Sequence, residues 1–246
     1  MMAKQIGTSR EQFIQSVRAC LGRDQGEPVE PYKLLNEDLS IMEARVKDTL
    51  SRLEHNRDQR ISYLAQVAKL RGWQVHQAGG LEEAVDYIRS TVQELGAKII
   101  LRSNDQIFDD IPVDQTLHNL DANLLIMTRD NIQRDEINPV AADLGLTGVD
   151  YAIAETGTAV IAPRMGISRL TSLLPPVHLA IVKPSQILDN LDDLYLLRRW
   201  DYYQHAHDMG SYLNFITGPS RTADIEQTLV IGAHGPRETH MIIMDK

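Results

Sequence analysis

The chain has 246 residues, 43% hydrophobic and 24% charged, an ordinary globular composition that excludes a disordered or fibrous protein. A net charge of −9, with no long run of Lys and Arg, argues against a nucleic-acid face but leaves room for a locally positive pocket. The lone cysteine, Cys20, excludes an internal disulfide framework, a four-cysteine zinc site and a cysteine-ligated iron–sulfur cluster within this chain.

No apolar stretch approaches the ~18 residues of a membrane span. The start, M-M-A-K-Q-I-G-T-S-R, lacks an apolar export core, so the cytoplasm is the expected location. Ser9 to Leu21 predicts an amphipathic helix with Ser9 as N-cap and Phe13, Ile14, Val17 and Leu21 on one face. Gly22 and R-D-Q-G-E-P-V-E-P then form a linker, so this helix reads as an arm able to pack on its own domain or on a neighbouring copy. Leu34 to Leu70 predicts two helices broken near His55 to Asp58. The expected division is a helical arm and extension over 1–60 and an α/β domain over 61–246.

In that domain W-Q-V-H-Q-A (73–78) alternates as a strand does, and Gly79-Gly80 ends it. Leu81 to Leu95 predicts a helix with Ala84, Ile88, Val92 and Leu95 inward. K-I-I-L-R is a strand, N-D-Q-I-F begins a segment that turns helical, and N-L-L-I-M-T (123–128) is a third strand. Asn131 to Leu144 reads as helix, with Pro139 at its break or its start. V-D-Y-A-I-A and A-V-I-A-P, joined by E-T-G-T, read as a hairpin. V-H-L-A-I-V is a buried strand, Gln186 to Trp200 a helix, and T-H-M-I-I-M-D the last strand. Strands alternating with helices predict a mostly parallel sheet covered on both faces, with ligands bound beyond strand carboxyl ends where the chain order reverses.

Four corners carry candidate chemistry. In I-T-G-P-S-R-T-A-D, Gly218 allows a tight turn, and Ser220 or Thr222 is placed to cap a following helix. The freed N–H groups with Arg221, and Asp224 to orient it, would seat an anion; the plainer reading is a capped turn with its arginine in water. In A-E-T-G-T, Glu155 is a nucleophile, a base or a hydroxyl ligand beside Thr156, Gly157 and Thr158, or else a solvated hairpin tip. R-L-T-S-L-L-P-P-V-H places Arg169, Ser172 and His178 around a stiff double proline, with His178 either an acid–base group or a hydrogen-bonded structural residue. G-A-H-G-P-R presents His234 on a second Gly/Pro corner. His205 and His207 form an H-x-H pair without a spaced third ligand, so no metal is assigned. G-x-S-x-G, G-x-G-x-x-G and Walker A motifs are absent.

Taken in order, G-V-D-Y-A-I-A-E-T-G-T, R-L-T-S-L-L-P-P-V-H, I-T-G-P-S-R-T-A-D-I-E and G-A-H-G-P-R-E-T-H-M-I-I-M-D resemble the LUD domain of the lactate-utilization protein C family, closely from Gly148 onward. The resemblance implies a three-layer α/β/α fold like that of phosphosugar isomerases and coenzyme A transferases. It implies a place in a bacterial system that oxidises L-lactate to pyruvate, with iron–sulfur partner proteins supplying the redox centres and this chain as the cluster-free member. The family's recurrent motif positions fall on Glu155, Thr156, Gly157, Thr158, Arg169, Ser172, Pro175, His178, Thr217, Gly218, Pro219, Ser220, Arg221, Asp224, His234 and Gly235. Coenzyme A transferases of this architecture use a glutamate beside a glycine turn as nucleophile, and E-T-G-T is similar in kind. The expected ligand is a small carboxylate or a phosphate-bearing cofactor, held near Arg221 with Glu155, His178 and His234 around it. The alternatives are a stand-alone transferase-like or isomerase-like enzyme, and a metabolite-binding regulatory module.

Overall fold

A computed structural model describes residues 9–22, 37–128, 138–164, 166–204, 210, 212–223 and 228–245. The chain divides into two units, residues 1–42 and 43–246. The helices are α1 (Arg10–Cys20), α2 (Leu39–His55), α3 (Arg57–Arg71), α4 (Leu81–Leu95), α5 (Ile107–Asp110), α6 (Val113–His118), α7 (Leu170–Leu173) and α8 (Leu191–Gln204). The strands are β1 (Gln74–Ala78), β2 (Ile99–Arg102), β3 (Asn123–Ile126), β4 (Leu144–Gly148), β5 (Tyr151–Ile153), β6 (Thr158–Ile161), β7 (Val177–Val182), β8 (Ile187–Leu188), β9 (Asn214–Ile216), β10 (Arg221–Thr222), β11 (Val230–Ile231) and β12 (Glu238–Met244).

In the first unit Ser9 caps α1 as its sequence predicts. Its hydroxyl accepts from the Gln12 N–H at 3.2 Å, and the Gln12 side chain accepts from the Ser9 N–H at 3.1 Å.

In the second unit the layered α/β architecture is the one expected. Six strands run in the order β1-β12-β7-β4-β2-β3, every neighbouring pair parallel. Alternation along the strands sorts their side chains onto two faces. Ile100, Leu144, Leu146, Leu179, Ile181 and Ile242 face one layer, where Ala84, Val85, Ile88 and Val92 of α4 and the buried residues of α5 and α6 cover them. Ala180, Val182, Met241 and Ile243 face the other, packed against Ile61, Leu64, Ala65 and Ala68 of α3 and the inner residues of a second sheet. That sheet, ordered β8-β5-β6-β9, has its outer residues Ile153, Val160 and Leu188 covered by Leu53 of α2 and Leu194 of α8.

Three segments differ from their sequence reading. Leu144 is not the end of a helix but the first residue of β4, which is buried throughout between β2 and β7 and so shows no alternation. Residues 131–137 of that supposed helix lie outside the described residues. Ile187 and Leu188 pair with β5, and the helix begins only at Leu191, where the Asn190 side chain accepts from the Asp193 N–H at 2.9 Å. Arg221 and Thr222 start no helix; they pair antiparallel with Ile231 and Val230. No helix among the described residues is long and apolar enough to cross a membrane.

Candidate functional site

The motif corners meet at the amino-terminal edge of the six-stranded sheet, on the α3 side. Pro176, which precedes β7, accepts from the N–H groups of Arg237 and Glu238 at 2.9 and 3.2 Å, where β12 begins. Ser220 joins the two Gly/Pro corners: its N–H donates to Pro236 O (2.8 Å), its carbonyl accepts from Gly232 (2.9 Å), and its hydroxyl accepts from the His234 N–H (3.3 Å). The 218–221 corner sits on the C-terminal end of α3. A Cβ at Gly218 would lie 2.4 Å from Arg71 O, and the Arg221 guanidinium donates to that carbonyl at 3.3 Å. A cation is favoured there, because the last carbonyls of a helix carry partial negative charge.

The E-T-G-T tip packs beside this corner. The Trp73 indole N–H donates to Gly157 O at 3.0 Å, and hydroxyls run from Thr156 to Thr158 to Thr217 in two 2.8 Å steps. Glu155 is exposed, and its carboxylate accepts from the Leu191 N–H at 3.1 Å, capping α8. His178 is fully buried, with Nε2 2.8 Å from Thr147 Oγ1 and its ring 6.2 Å from that of Trp73. Burial, and then neighbouring His240, push its pKa down to about 3, so it is neutral at working pH. Arg169 lies over the Tyr212 ring at 5.5 Å, and buried Ser172 bonds to Arg169 O and Asn214. His234 is exposed. Asp224, His205 and His207 lie outside the described residues. The structure thus gathers Thr156, Gly157, Thr158, Thr217, Gly218, Ser220, Arg221 and the His234 backbone in one place. It places the Glu155 carboxylate against α8 and encloses the His178 ring in the core.

A second polar cluster lies at the carboxyl edge of the sheet. After β2 the chain moves outward to β3; after β4 it moves the other way to β7. The crevice between the ends of β2 and β4 is therefore the switch point of the sheet, where open α/β sheets bind ligands. The Asp105 carboxylate sits there over Gly148, so close that a Cβ on Gly148 would come within 2.6 Å of its carboxyl carbon. One Asp105 oxygen accepts from the Ile107 N–H at 3.1 Å. Burial, with the nearby charge of Asp150, raises the Asp105 pKa against the opposing pull of that N–H, Arg164 and Lys183. Asp150 accepts from the Ala162 N–H (2.6 Å) and from Arg164 (2.8 Å), while Lys183 pairs with Asp110 at 2.8 Å. Asp110 also lines a cavity of about 610 Å³ with residues of α4 and α6. Sequence reasoning did not single out Asp105, Asp150, Arg164 or Lys183. The available signal was an acid just past a strand end, in R-S-N-D and again in T-G-V-D.

The matched segment defines a LUD-domain protein, since the family model described as LUD domain matches residues 61–244. Similarity extends beyond that domain. Lactate utilization protein C of Halalkalibacterium halodurans is 28% identical over 246 residues, covering 96% of this chain and 98% of the relative. Lactate utilization protein C 1 of Bacillus mycoides is 29% identical, covering 100% and 99%. The Shouchella clausii protein of the same name is 32% identical over 171 residues, 69% of this chain and 71% of its own length. The chain belongs to the lactate utilization protein C family. A crystal structure of a DUF162 family protein from Deinococcus radiodurans aligns with a TM-score of 0.47 at 19% identity, over 79% of this chain and 98% of that one.

Proposed function

We propose that this chain is a component of a bacterial L-lactate utilization system, acting in the cytoplasm with iron–sulfur partner proteins that take up the electrons as lactate becomes pyruvate. The observation that carries the reading is similarity over almost the whole chain, N-terminal helices included, to proteins named for lactate utilization. The single cysteine supports a division of labour, because cysteine-ligated clusters would then belong to the partners. The subunit contributes a pocket for a small carboxylate, and the α1 arm is the part of the chain suited to a subunit contact. A stand-alone transferase with Glu155 as nucleophile is less well supported, since that carboxylate caps α8. The test is affinity purification of the tagged chain from its own cells during growth on L-lactate. Co-purification of proteins with iron–sulfur absorption and paramagnetic resonance signals is expected. A chain that elutes alone under those conditions refutes the partnership.

A further inference from the structure

We propose that the carboxyl-edge crevice binds a small 2-hydroxy or 2-oxo carboxylate, with Arg164 and Lys183 as its cationic side and Asp105 as a hydrogen-bond donor to the ligand's C2 oxygen. The identity of the acid rests on the lactate reading; the site rests on its own geometry. Three features place it. The crevice is the switch point between β2 and β4. Gly148 leaves the space that the Asp105 carboxylate occupies. At the same edge the ion pairs Arg164–Asp150 and Lys183–Asp110, each at 2.8 Å, hold two cations that keep part of their surface in solvent.

The charges fit such a ligand. Asp150 holds Arg164, whose side chain is 51% exposed and so reachable, and Asp110 holds Lys183, 38% exposed. Asp105 is the remaining acid: its burial already favours the neutral form, and a bound anion would favour it further. Ligand binding therefore draws a proton onto Asp105, leaving it able to donate to the ligand's C2 oxygen.

The test is titration calorimetry of the full-length chain with pyruvate, L-lactate and inorganic phosphate near pH 6, in two buffers of different ionisation heat. The expected result is binding of pyruvate or lactate with net proton uptake. Asp105→Asn should abolish the uptake. Arg164→Gln should raise Kd at least tenfold, and Gly148→Ala, which displaces the carboxylate, should reduce both affinity and uptake. Circular dichroism melting identifies any variant that fails to fold, and Lys183→Gln, at a half-exposed position, then serves in its place with the same expected loss of affinity. Binding of neither acid overturns the proposal, as does binding without proton uptake. Binding that survives Arg164→Gln and Gly148→Ala but is lost in Arg221→Ala moves the ligand to the opposite edge and also overturns it. Phosphate bound in preference to both acids overturns the substrate class. Acid binding at this site in a chain dispensable for growth on lactate would count against the lactate role alone.

Discussion

Gly157→Ala tests whether the E-T-G-T tip is seated on α3 as the structure shows. Gly157 has φ +67°, and a Cβ there would lie 2.9 Å from both Cα and N of Ala68, backbone atoms of a helix that cannot yield cheaply. The left-handed conformation alone costs an alanine about 1–2 kcal/mol. Forcing a methyl into packed backbone adds about 1–3 kcal/mol. The expected loss is therefore about 2–5 kcal/mol, and the Trp73 bond to Gly157 O should weaken with it. Gly96→Ala is the matched comparison: φ is +60°, and a Cβ there meets nothing within 4 Å. It should lose only the conformational part, about 1–2 kcal/mol. Urea unfolding followed by tryptophan fluorescence measures both, and unchanged m-values would license the comparison. Equal losses in the two variants would refute close packing of the tip on α3.

Acid should destabilise the chain through His178. Its pKa is near 6.5 unfolded but pushed down to about 3 in the fold, so below pH 6.5 only the unfolded state gains the proton. Stability from the neutral buried ring is full above pH 6.5 and falls by about 1.4 kcal/mol per unit as pH drops toward 3. Between pH 7 and 5 this amounts to about 2 kcal/mol, and His178→Gln should flatten that part of a urea-unfolding series; an unchanged slope would contradict it. Arg221→Ala should remove the cation at the end of α3, cost below about 1 kcal/mol and lower Tm by less than about 4 °C by calorimetry. Glu155→Gln keeps an oxygen that can accept from the Leu191 N–H, so melting temperature and support of growth on lactate should both be retained. Loss of growth with an unchanged melt would make Glu155 a reacting group.

Much of this architecture is legible in the sequence because local rules agree with the fold. Leu81 to Leu95 carries its apolar residues at helical spacing and is bounded by glycines, and V-H-L-A-I-V is apolar enough to be buried on both faces. Ile187-Leu188 and Arg221-Thr222 escape such reasoning, since two-residue strands exist only through their partners β5 and β11. The amino-edge corners are visible as Gly/Pro turns, but their target is not: nothing local to G-P-S-R says that it rests on Arg71, 150 residues away. The carboxyl-edge cluster is hidden for the same reason. Asp105 and Asp150 are brought together only by the pairing of β2 with β4, and Arg164 reaches Asp150 only because the β5–β6 hairpin returns the chain to its base.

The lactate role is tested most directly by growth. A bacterium lacking its own lactate utilization protein C should fail to grow on L-lactate as sole carbon source and recover when this chain is supplied. The same cells should grow equally on pyruvate with or without it. Failure to restore growth on L-lactate, with the chain folded and present at the level of the native protein, would contradict the proposed function.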